Sequence, residues 1–208
     1  MIPYHKIDSV YLRDPATKHK TFLLGQWARE EFGYLKHLEW LWTEKIDGTN
    51  IRIGWDGTAV RFGGRTDDAQ IPAFLIAHLQ DMFPAAAMAA AFTGPATLYG
   101  EGYGAKIQKS GGNYSPFPEF ILFDVHCGVW LRRADVLEVA LNLNIPVVPV
   151  IGHGSLLSAI EHVRIGFPSD VAQTSGTQAE GLVMRPAIEL LDRQGRRIIT
   201  KVKHKDFQ

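Results

Sequence analysis

The sequence predicts an α+β fold built mainly on antiparallel sheets. Two segments, residues 50–55 and 58–62, alternate in the period of a β-strand, and Asp56-Gly57 between them is a hairpin turn signal. More strand and helix patterns follow, but they do not alternate regularly enough for a doubly wound sheet. We therefore expect hairpin-connected strands with a few helices flanking them.

The other elements are predicted in chain order from the same periodicities. Residues 26–38 suit a short helix, and residues 41–44 are predicted to form a strand that runs into Lys45. Residues 71–92 have helical spacing, which Pro84 interrupts. Further strands are predicted at 97–99, 120–125, 181–184 and 197–203, and further helices at 133–143 and 155–163, with a turn at Gly195.

The composition is that of an ordinary globular protein. The 208 residues are 46% hydrophobic, and 22 basic side chains balance 22 acidic ones. This neutrality argues against tight, sequence-blind binding of nucleic acid by the whole surface, although a local basic groove is enough for a polynucleotide substrate. The chain has one cysteine and no signal peptide pattern, so we expect a cytoplasmic protein without membrane contact.

The first chemical motif is residues 45–50, Lys-Ile-Asp-Gly-Thr-Asn, where a lysine leaves a strand and a glycine allows a tight turn. An unprotonated lysine amine is a good nucleophile toward an activated phosphate, and nearby cations favour loss of its proton. A lone Lys-x-Asp-Gly is more often a surface turn. The residues that accompany Lys45 therefore decide the interpretation.

Carboxylates, an aromatic ring and two more lysines accompany Lys45 at the ends of predicted strands. Such groups suit nucleotidyl transfer, because carboxylates hold hydrated Mg²⁺, lysines neutralise phosphates and an aromatic ring stacks on a base. The two lysines, two residues apart on one strand, share a face. These residues are Glu101, Phe123, Asp124, Glu180, Lys201 and Lys203.

These segments, in this order, resemble the five motifs of the covalent nucleotidyltransferase superfamily of polynucleotide ligases and mRNA capping enzymes. Within it, the chain is similar to the RNA ligase 2-like family. Asn50 ends the nucleophile motif where ATP-dependent DNA ligases and capping enzymes typically carry arginine. Arg65 matches that family's arginine downstream of the nucleophile, and residues 104–109 resemble the family further.

The resemblance implies an ATP-grasp-like adenylation domain and an ATP-dependent RNA ligase that serves RNA repair. Lys45 would form lysyl-AMP with ATP, the AMP would pass to an RNA 5′-phosphate, and a 3′-hydroxyl would then displace it. Mg²⁺ is the expected metal, with Mn²⁺ as a substitute. RNA ends, including those of a nicked duplex, are the expected substrates.

The resemblance also implies a role for each matched residue. Lys201 and Lys203 would contact the α-phosphate, and Glu101 the ribose hydroxyls. Arg65 would hold the ribose or the RNA end, and Asn50 would orient metal-bound waters or the RNA end. The carboxylates expected near the metal are Asp47, Asp124 and Glu180.

Two positions, Phe123 and Glu44, each have a purely structural interpretation beside the functional one. Phe123 would stack on adenine, but a core phenylalanine on a buried strand is an equally good interpretation. The backbone of Glu44 would contact adenine while its side chain faces elsewhere, and a surface strand residue is the alternative.

The resemblance leaves no room for a further C-terminal domain or an oligonucleotide-binding barrel, so residues 1–208 are expected to form one minimal nucleotidyltransferase domain. We therefore expect weak intrinsic RNA affinity and an accessory protein that supplies RNA-binding surface. The alternatives are an ATP-dependent DNA ligase, a capping-type guanylyltransferase and a non-catalytic RNA-binding domain.

Overall fold

Short hairpins and isolated helices follow one another along the chain. The computed structural model describes residues 1–208. Its α-helices are α1 (Glu30–Leu35), α2 (Ala73–Met82), α3 (Ala85–Ala91), α4 (Gly111–Tyr114), α5 (Arg133–Leu143) and α6 (Leu156–Ile165). Its strands are β1 (Asp8–Ser9), β2 (Tyr11–Arg13), β3 (Phe22–Trp27), β4 (Trp40–Glu44), β5 (Thr49–Trp55), β6 (Val60–Gly63), β7 (Ala96–Tyr103), β8 (Glu119–His126), β9 (Val150–Gly154), β10 (Gly181–Pro186) and β11 (Thr200–Lys203). The mixed α+β class with mainly antiparallel sheets is confirmed.

The chain divides into two compact units. The first unit comprises Met1–His5, Asp47–Val148 and Ala172–Ser175, and the second comprises Lys6–Ile46, Pro149–Val171 and Gly176–Gln208. The division separates Ile46 from Asp47, inside the nucleophile motif. The prediction of one minimal nucleotidyltransferase domain stays a prediction.

The first unit is built on a four-stranded antiparallel sheet in the order β6-β5-β7-β8. The predicted hairpin between β5 and β6 turns at Asp56, whose carboxylate accepts hydrogen bonds from the backbone N–H groups of Ala59 and Thr58. These bonds, that of Ala59 first, lower the pKa of Asp56 to about 2. One face of the sheet packs against α2 and α5 in a core that includes Ile51, Ile53, Leu98, Val125, Leu75 and Val136.

The second unit is built on a five-stranded sheet in the order β1-β11-β10-β4-β9, with β2 and β3 forming a separate hairpin. Only the β1–β11 pair is parallel. Helix α6 covers this sheet and begins at Ser155, whose side chain caps the helix by accepting from the Ser158 N–H. The core includes Trp40, Trp42, Leu156, Ile160, Leu182 and Met184.

Several predicted boundaries were wrong. Glu101 was expected at a strand end, but β7 continues to Tyr103. A Cβ at Gly100 would lie 2.2 Å from the Phe120 ring, so close packing excludes a side chain there. The helix predicted at 26–38 is shorter because β3 occupies its start, and β11 covers only part of 197–203.

No single helix is long and apolar enough to cross a bilayer. The α2–α3 pair has the length and composition together, but it bends by 52°. Its residues Leu75, Leu79 and Met88 are buried in the core of the first unit, as in an ordinary core helix.

Candidate active site

Lys45 follows directly after β4 in the second unit, where the sheet holds its backbone. Strand β4 pairs with β10, and the Lys45 N–H donates to the Gly181 carbonyl at 2.9 Å. The apolar run before Lys45 therefore becomes a central strand, and Lys45 is the first residue beyond it. This placement agrees with the predicted strand that runs into the lysine.

The Lys45 side chain is paired with Glu180. Its Nζ lies 2.6 Å from Glu180 Oε2, and Lys203 Nζ lies 2.5 Å from Glu180 Oε1. The three side chains are mostly buried, with exposures of 18%, 11% and 22% for Lys45, Glu180 and Lys203. One carboxylate thus bridges the proposed nucleophile and a second lysine, an arrangement that fixes the direction of both amines.

Lys201 and Lys203 lie on one face of β11, as their spacing predicted. Val183 of β10 is opposite Lys201, and Gly181 is opposite Lys203. Between them, Val202 points the other way and is fully buried in the core of the second unit. Because side chains alternate along β11, one face of this sheet carries the lysines and the other packs against α6 and neighbouring elements.

Glu44 has the opposite orientation from Lys45. Leu182 of β10 is its partner in register, and both are buried on the core side. The Glu44 carboxylate accepts hydrogen bonds from the Ser169 hydroxyl and, at 2.9 Å, from the Asp170 N–H. Burial raises the pKa of Glu44, which these hydrogen bonds partly offset. The expectation that its side chain faces elsewhere agrees with the structure, and the surface-residue alternative is wrong because Glu44 is 1% exposed.

In the first unit, the sheet face opposite the core carries the matched polar residues. Because Ile51 and Ile53 fill the core, Asn50 points to the other face, and Glu101 is opposite it on β7. The Asn50 Oδ1 atom is buried and has no hydrogen-bond partner. A buried acceptor without a partner indicates a place for a ligand or an ordered water.

Gly48 is required for close packing. A Cβ at this position would lie 2.3 Å from the Gly102 carbonyl oxygen and 2.8 Å from Glu101 Cγ. The chain bends at Asp47 and Gly48, as predicted, although the φ of Gly48 is not in the left-handed range. The glycine therefore allows the nucleophile motif to approach β7 closely as it bends.

Asp47 and Gly48 are held by the loop that follows β7. Ser110 Oγ donates to Asp47 Oδ2 at 2.5 Å, and Gln108 Nε2 donates to the Gly48 carbonyl at 2.9 Å. Lys106 and Lys109 in the same loop are exposed. The predicted resemblance of residues 104–109 thus corresponds to a loop that contacts the motif.

A β-bulge in β8 places Phe123 and Asp124 together. Tyr99 pairs with Asp124, whereas Gly100 pairs with Leu122, so Phe123 is the extra residue. Both side chains contact Tyr4: its hydroxyl donates to Asp124 Oδ2 at 2.6 Å, and its ring lies 5.1 Å from that of Phe123. Phe123 is half-buried and lies outside the core cluster of the first unit, so its ring is not fully enclosed by the core.

Arg65 lies on the loop after β6 and is exposed. Its guanidinium makes no hydrogen bond or ion pair within residues 1–208. The buried Arg52 side chain donates hydrogen bonds to Gly64 and Asp67 of the same loop.

The carboxylates expected near the metal, Asp47, Asp124 and Glu180, already have partners in the protein. No group of three or more His, Cys, Asp or Glu side chains in residues 1–208 could hold a metal ion alone. Mg²⁺ usually keeps several waters and binds through one or two carboxylates and substrate phosphates, so the chain need not contain a complete cage. Asp47 and Asp124 of the first unit and Glu180 of the second carry oxygen donors of the kind that Mg²⁺ prefers, and Asn50 Oδ1 in the first unit is a further one without a hydrogen-bond partner.

Comparison with known families decides the classification. The sequence model for RNA ligase matches residues 38–203. The chain belongs to the RNA ligase family. A search of curated proteins gave no match.

Solved structures show that this RNA ligase family member also has the RNA ligase fold. Naegleria gruberi RNA ligase with PPi superposes with a TM-score of 0.69 at 17% identity, covering 97% of this chain and 56% of that chain. A mutant of the same enzyme with ATP and Mn gives 0.66 at 18% identity, covering 85% and 54%. The chain thus spans about half the length of these solved chains.

The sequence did not reveal three residues that support the matched positions. Tyr4 contacts Phe123 and Asp124, Ser110 contacts Asp47, and Arg52 holds the Arg65 loop. Tyr4 and Ser110 are distant in sequence from the groups they support. Arg52 lies within an ordinary strand pattern, which gives no sign of its contacts.

Proposed function

We propose that the chain is an ATP-dependent RNA ligase in which Lys45 becomes adenylylated. The observation that carries the proposal is the bridge from Lys45 through Glu180 to Lys203 in a member of the RNA ligase family. An isolated surface lysine would be free in solvent, whereas this amine is oriented at 2.6 Å from a carboxylate. Orientation of a nucleophile before substrate binds is a recognised source of rate enhancement.

The first step is a substitution at phosphorus. The Lys45 amine loses a proton, its nitrogen forms a bond to the α-phosphorus of ATP, and the bond to the pyrophosphate oxygen breaks. Glu180 Oε2 is the acceptor within reach of that proton. Lys203 and Lys201 stabilise the charge that develops on the phosphate oxygens.

The adenosine would be held by residues on the polar sheet face of the first unit. Glu101 is proposed to bind the ribose hydroxyls and Phe123 to stack on adenine, which its position outside the core supports. The backbone of Glu44 is proposed to contact the base. The Naegleria gruberi ligase has been solved with ATP and Mn and with AMP and Mn, which supports ATP and a divalent ion as ligands here.

The divalent ion, Mg²⁺ or Mn²⁺, would neutralise phosphate charge when it is bound. Asp47, Asp124 and Glu180 are the carboxylates proposed to contact it or its waters, with Asn50 as a further oxygen donor. Each carboxylate already accepts a hydrogen bond or forms an ion pair within the protein. When the ion binds, these partners must move away, or the carboxylate oxygens must contact both the partner and the ion.

The proposed substrates are RNA ends with a 5′-phosphate and a 3′-hydroxyl. Exposed Lys106 and Lys109, in the loop that holds the nucleophile motif, supply local positive charge on a chain with no net charge. Because this basic surface is small, we propose weak, salt-sensitive RNA binding and an accessory protein that adds RNA-binding surface.

Mass spectrometry tests the covalent step. Wild-type protein is first treated with pyrophosphate to remove any bound AMP and is then incubated with ATP and Mg²⁺. We expect a mass increase of one AMP that Lys45→Ala abolishes and that Lys205→Ala, a change at an exposed lysine near the C-terminus, leaves intact. An unchanged wild-type mass would overturn the proposal.

Two further arms separate the alternatives. Labelling with GTP in place of ATP would indicate a capping-type guanylyltransferase. Equal sealing of nicks with DNA or RNA at the 3′-hydroxyl side would indicate a general polynucleotide ligase, whereas we expect a preference for RNA.

A further inference from the structure

A fully buried arginine lies behind the loop that carries Arg65. Arg52 of β5 is 0% exposed, and it lies opposite Gly63 of β6 and Tyr99 of β7. It shares the polar sheet face with Asn50, two residues before it. A buried guanidinium is costly unless its donors are paired, so its partners indicate its role.

The Arg52 guanidinium holds both ends of a four-residue loop. Nε donates to the Gly64 carbonyl at 2.5 Å, and Nη2 donates to Asp67 Oδ1 at 2.8 Å. A longer contact of 3.4 Å joins Nη1 to the Met1 carbonyl. Arg65 lies between the two anchored loop residues.

Gly63 leaves the space that this contact needs. A Cβ at Gly63 would lie 3.2 Å from Arg52 Nη2, which is tighter than ordinary packing. The glycine on β6 and the arginine opposite it on β5 are therefore matched in shape.

The ion pair with Asp67 is buried on one side only. The Asp67 side chain is 80% exposed, whereas the Arg52 side chain is fully buried. The hydrogen bond from Arg52 lowers the pKa of Asp67, so the carboxylate stays charged at neutral pH. Loss of Asp67 would leave a buried Arg52 donor without its partner, so the pair holds Arg52 and the loop in one arrangement.

Arg65 is directed to solvent while Arg52 anchors its loop. Arg65 is exposed and has no partner of its own. An exposed guanidinium on an anchored loop suits a phosphate, because two of its donors match two phosphate oxygens.

We propose that Arg52 is a positioning residue that holds residues 64–67 so that Arg65 can bind a phosphate of the substrate. The inference rests on the proposed function, because Arg65 has a phosphate to bind only if the chain handles ATP and RNA ends. The phosphate belongs either to ATP or to the RNA 5′ end, and two assays distinguish these sources.

Asp67→Ala is the sharpest test, because it removes a partner of Arg52 at an exposed position. One assay measures lysyl-AMP formation from ATP, and the other measures sealing of RNA that already carries a 5′-adenylate. We expect Asp67→Ala to slow the assay that Arg65→Ala also slows, by about tenfold, and to lower the melting temperature because a buried Arg52 donor loses its partner. Asp67→Asn keeps an acceptor for Arg52 and should retain most activity.

A double-mutant cycle distinguishes positioning from a general structural effect. If Arg52 acts through Arg65, Asp67→Ala should have no further effect when Arg65 is already alanine. Arg52→Lys keeps the charge but loses the fork, so it should follow the same pattern. Asp68→Ala, a neighbouring exposed carboxylate without contact to Arg52, is the matched control and should behave as wild type.

Several outcomes would overturn the inference. Equal slowing by Asp67→Ala with and without Arg65 would make the contact merely structural, and wild-type rates for Asp67→Ala or Arg65→Ala would remove the role of the loop. If wild-type protein forms no lysyl-AMP, the proposed function itself fails, and this is known before any variant is compared.

Discussion

The Tyr4 hydroxyl donates a 2.6 Å hydrogen bond to Asp124 Oδ2, joining residues 120 positions apart. Both residues are buried, at 6% and 2% exposure. The Tyr4 ring also packs against those of Tyr99 and Phe123, at 5.0 and 5.1 Å between centroids. The amino-terminal residues of the first unit therefore support the two β8 positions proposed to bind the metal and the base.

Tyr4→Phe should lower both stability and adenylylation. It removes one hydrogen bond to a buried carboxylate while keeping the ring, at a cost of about 1.5–3 kcal/mol. We expect roughly tenfold slower lysyl-AMP formation, because Asp124 loses a group that orients it. Urea unfolding and single-turnover labelling measure the two effects. Tyr34→Phe at an exposed tyrosine is the control, and equal behaviour of both variants would refute the role of Tyr4.

Sequence alone predicted the parts of this site that rest on local pattern. Lys45 after an apolar strand and Lys201 and Lys203 on one strand face follow from chain order and side-chain alternation. Phe123 and Asp124 were expected in the site, but their common placement beside Tyr4 was not, because adjacent strand residues normally face opposite ways and a bulge places both there. A bulge depends on the pairing partner, which lies far away in the sequence.

Lys203→Ala should impair adenylylation far more than stability. The change removes the lysine that shares Glu180 with Lys45, and it removes positive charge proposed for the α-phosphate. Loss of one preorganised contact to a developing charge costs roughly 100- to 1,000-fold in rate. Labelling with ATP at saturating concentration checks this. Lys205→Ala, two residues away and exposed, should remain near wild type, and a similar loss in both variants would argue against a specific contact.

Gly48→Ala should disrupt the nucleophile motif although it adds one methyl group. The new Cβ would lie 2.3 Å from the Gly102 carbonyl oxygen, so the motif and β7 must separate. Overpacking of this kind costs about 1–3 kcal/mol, and Lys45 should lose labelling because its chain neighbours move. Gly94→Ala is the control, because a Cβ there meets nothing within 4 Å. Full labelling of Gly48→Ala with an unchanged melting temperature would contradict the packing argument.

Glycines inside strands explain why the strand boundaries were harder to predict than the strands themselves. Gly100 and Gly102 look like strand breakers in the sequence, yet β7 continues through both because Phe120 and Leu75 pack against their backbone. Likewise β9 contains Gly152 and Gly154, which lie against the Trp42 ring. Local propensity cannot anticipate these contacts, since each depends on a residue from another element.

Glu44 should make stability depend on pH in a defined direction. Burial raises its pKa above the ordinary value of 4.5, so the folded protein holds this proton more strongly than the unfolded chain. The resulting stabilisation is complete below the unfolded pKa and is lost as pH rises through the folded pKa. The stability of wild type relative to Glu44→Gln should therefore fall as pH increases above 4.5. Melting temperatures across this range measure the difference, and Glu138→Gln on the exposed face of α5 serves as the control. A relative stability that rises with pH would show that the hydrogen bonds from Ser169 and Asp170 outweigh burial.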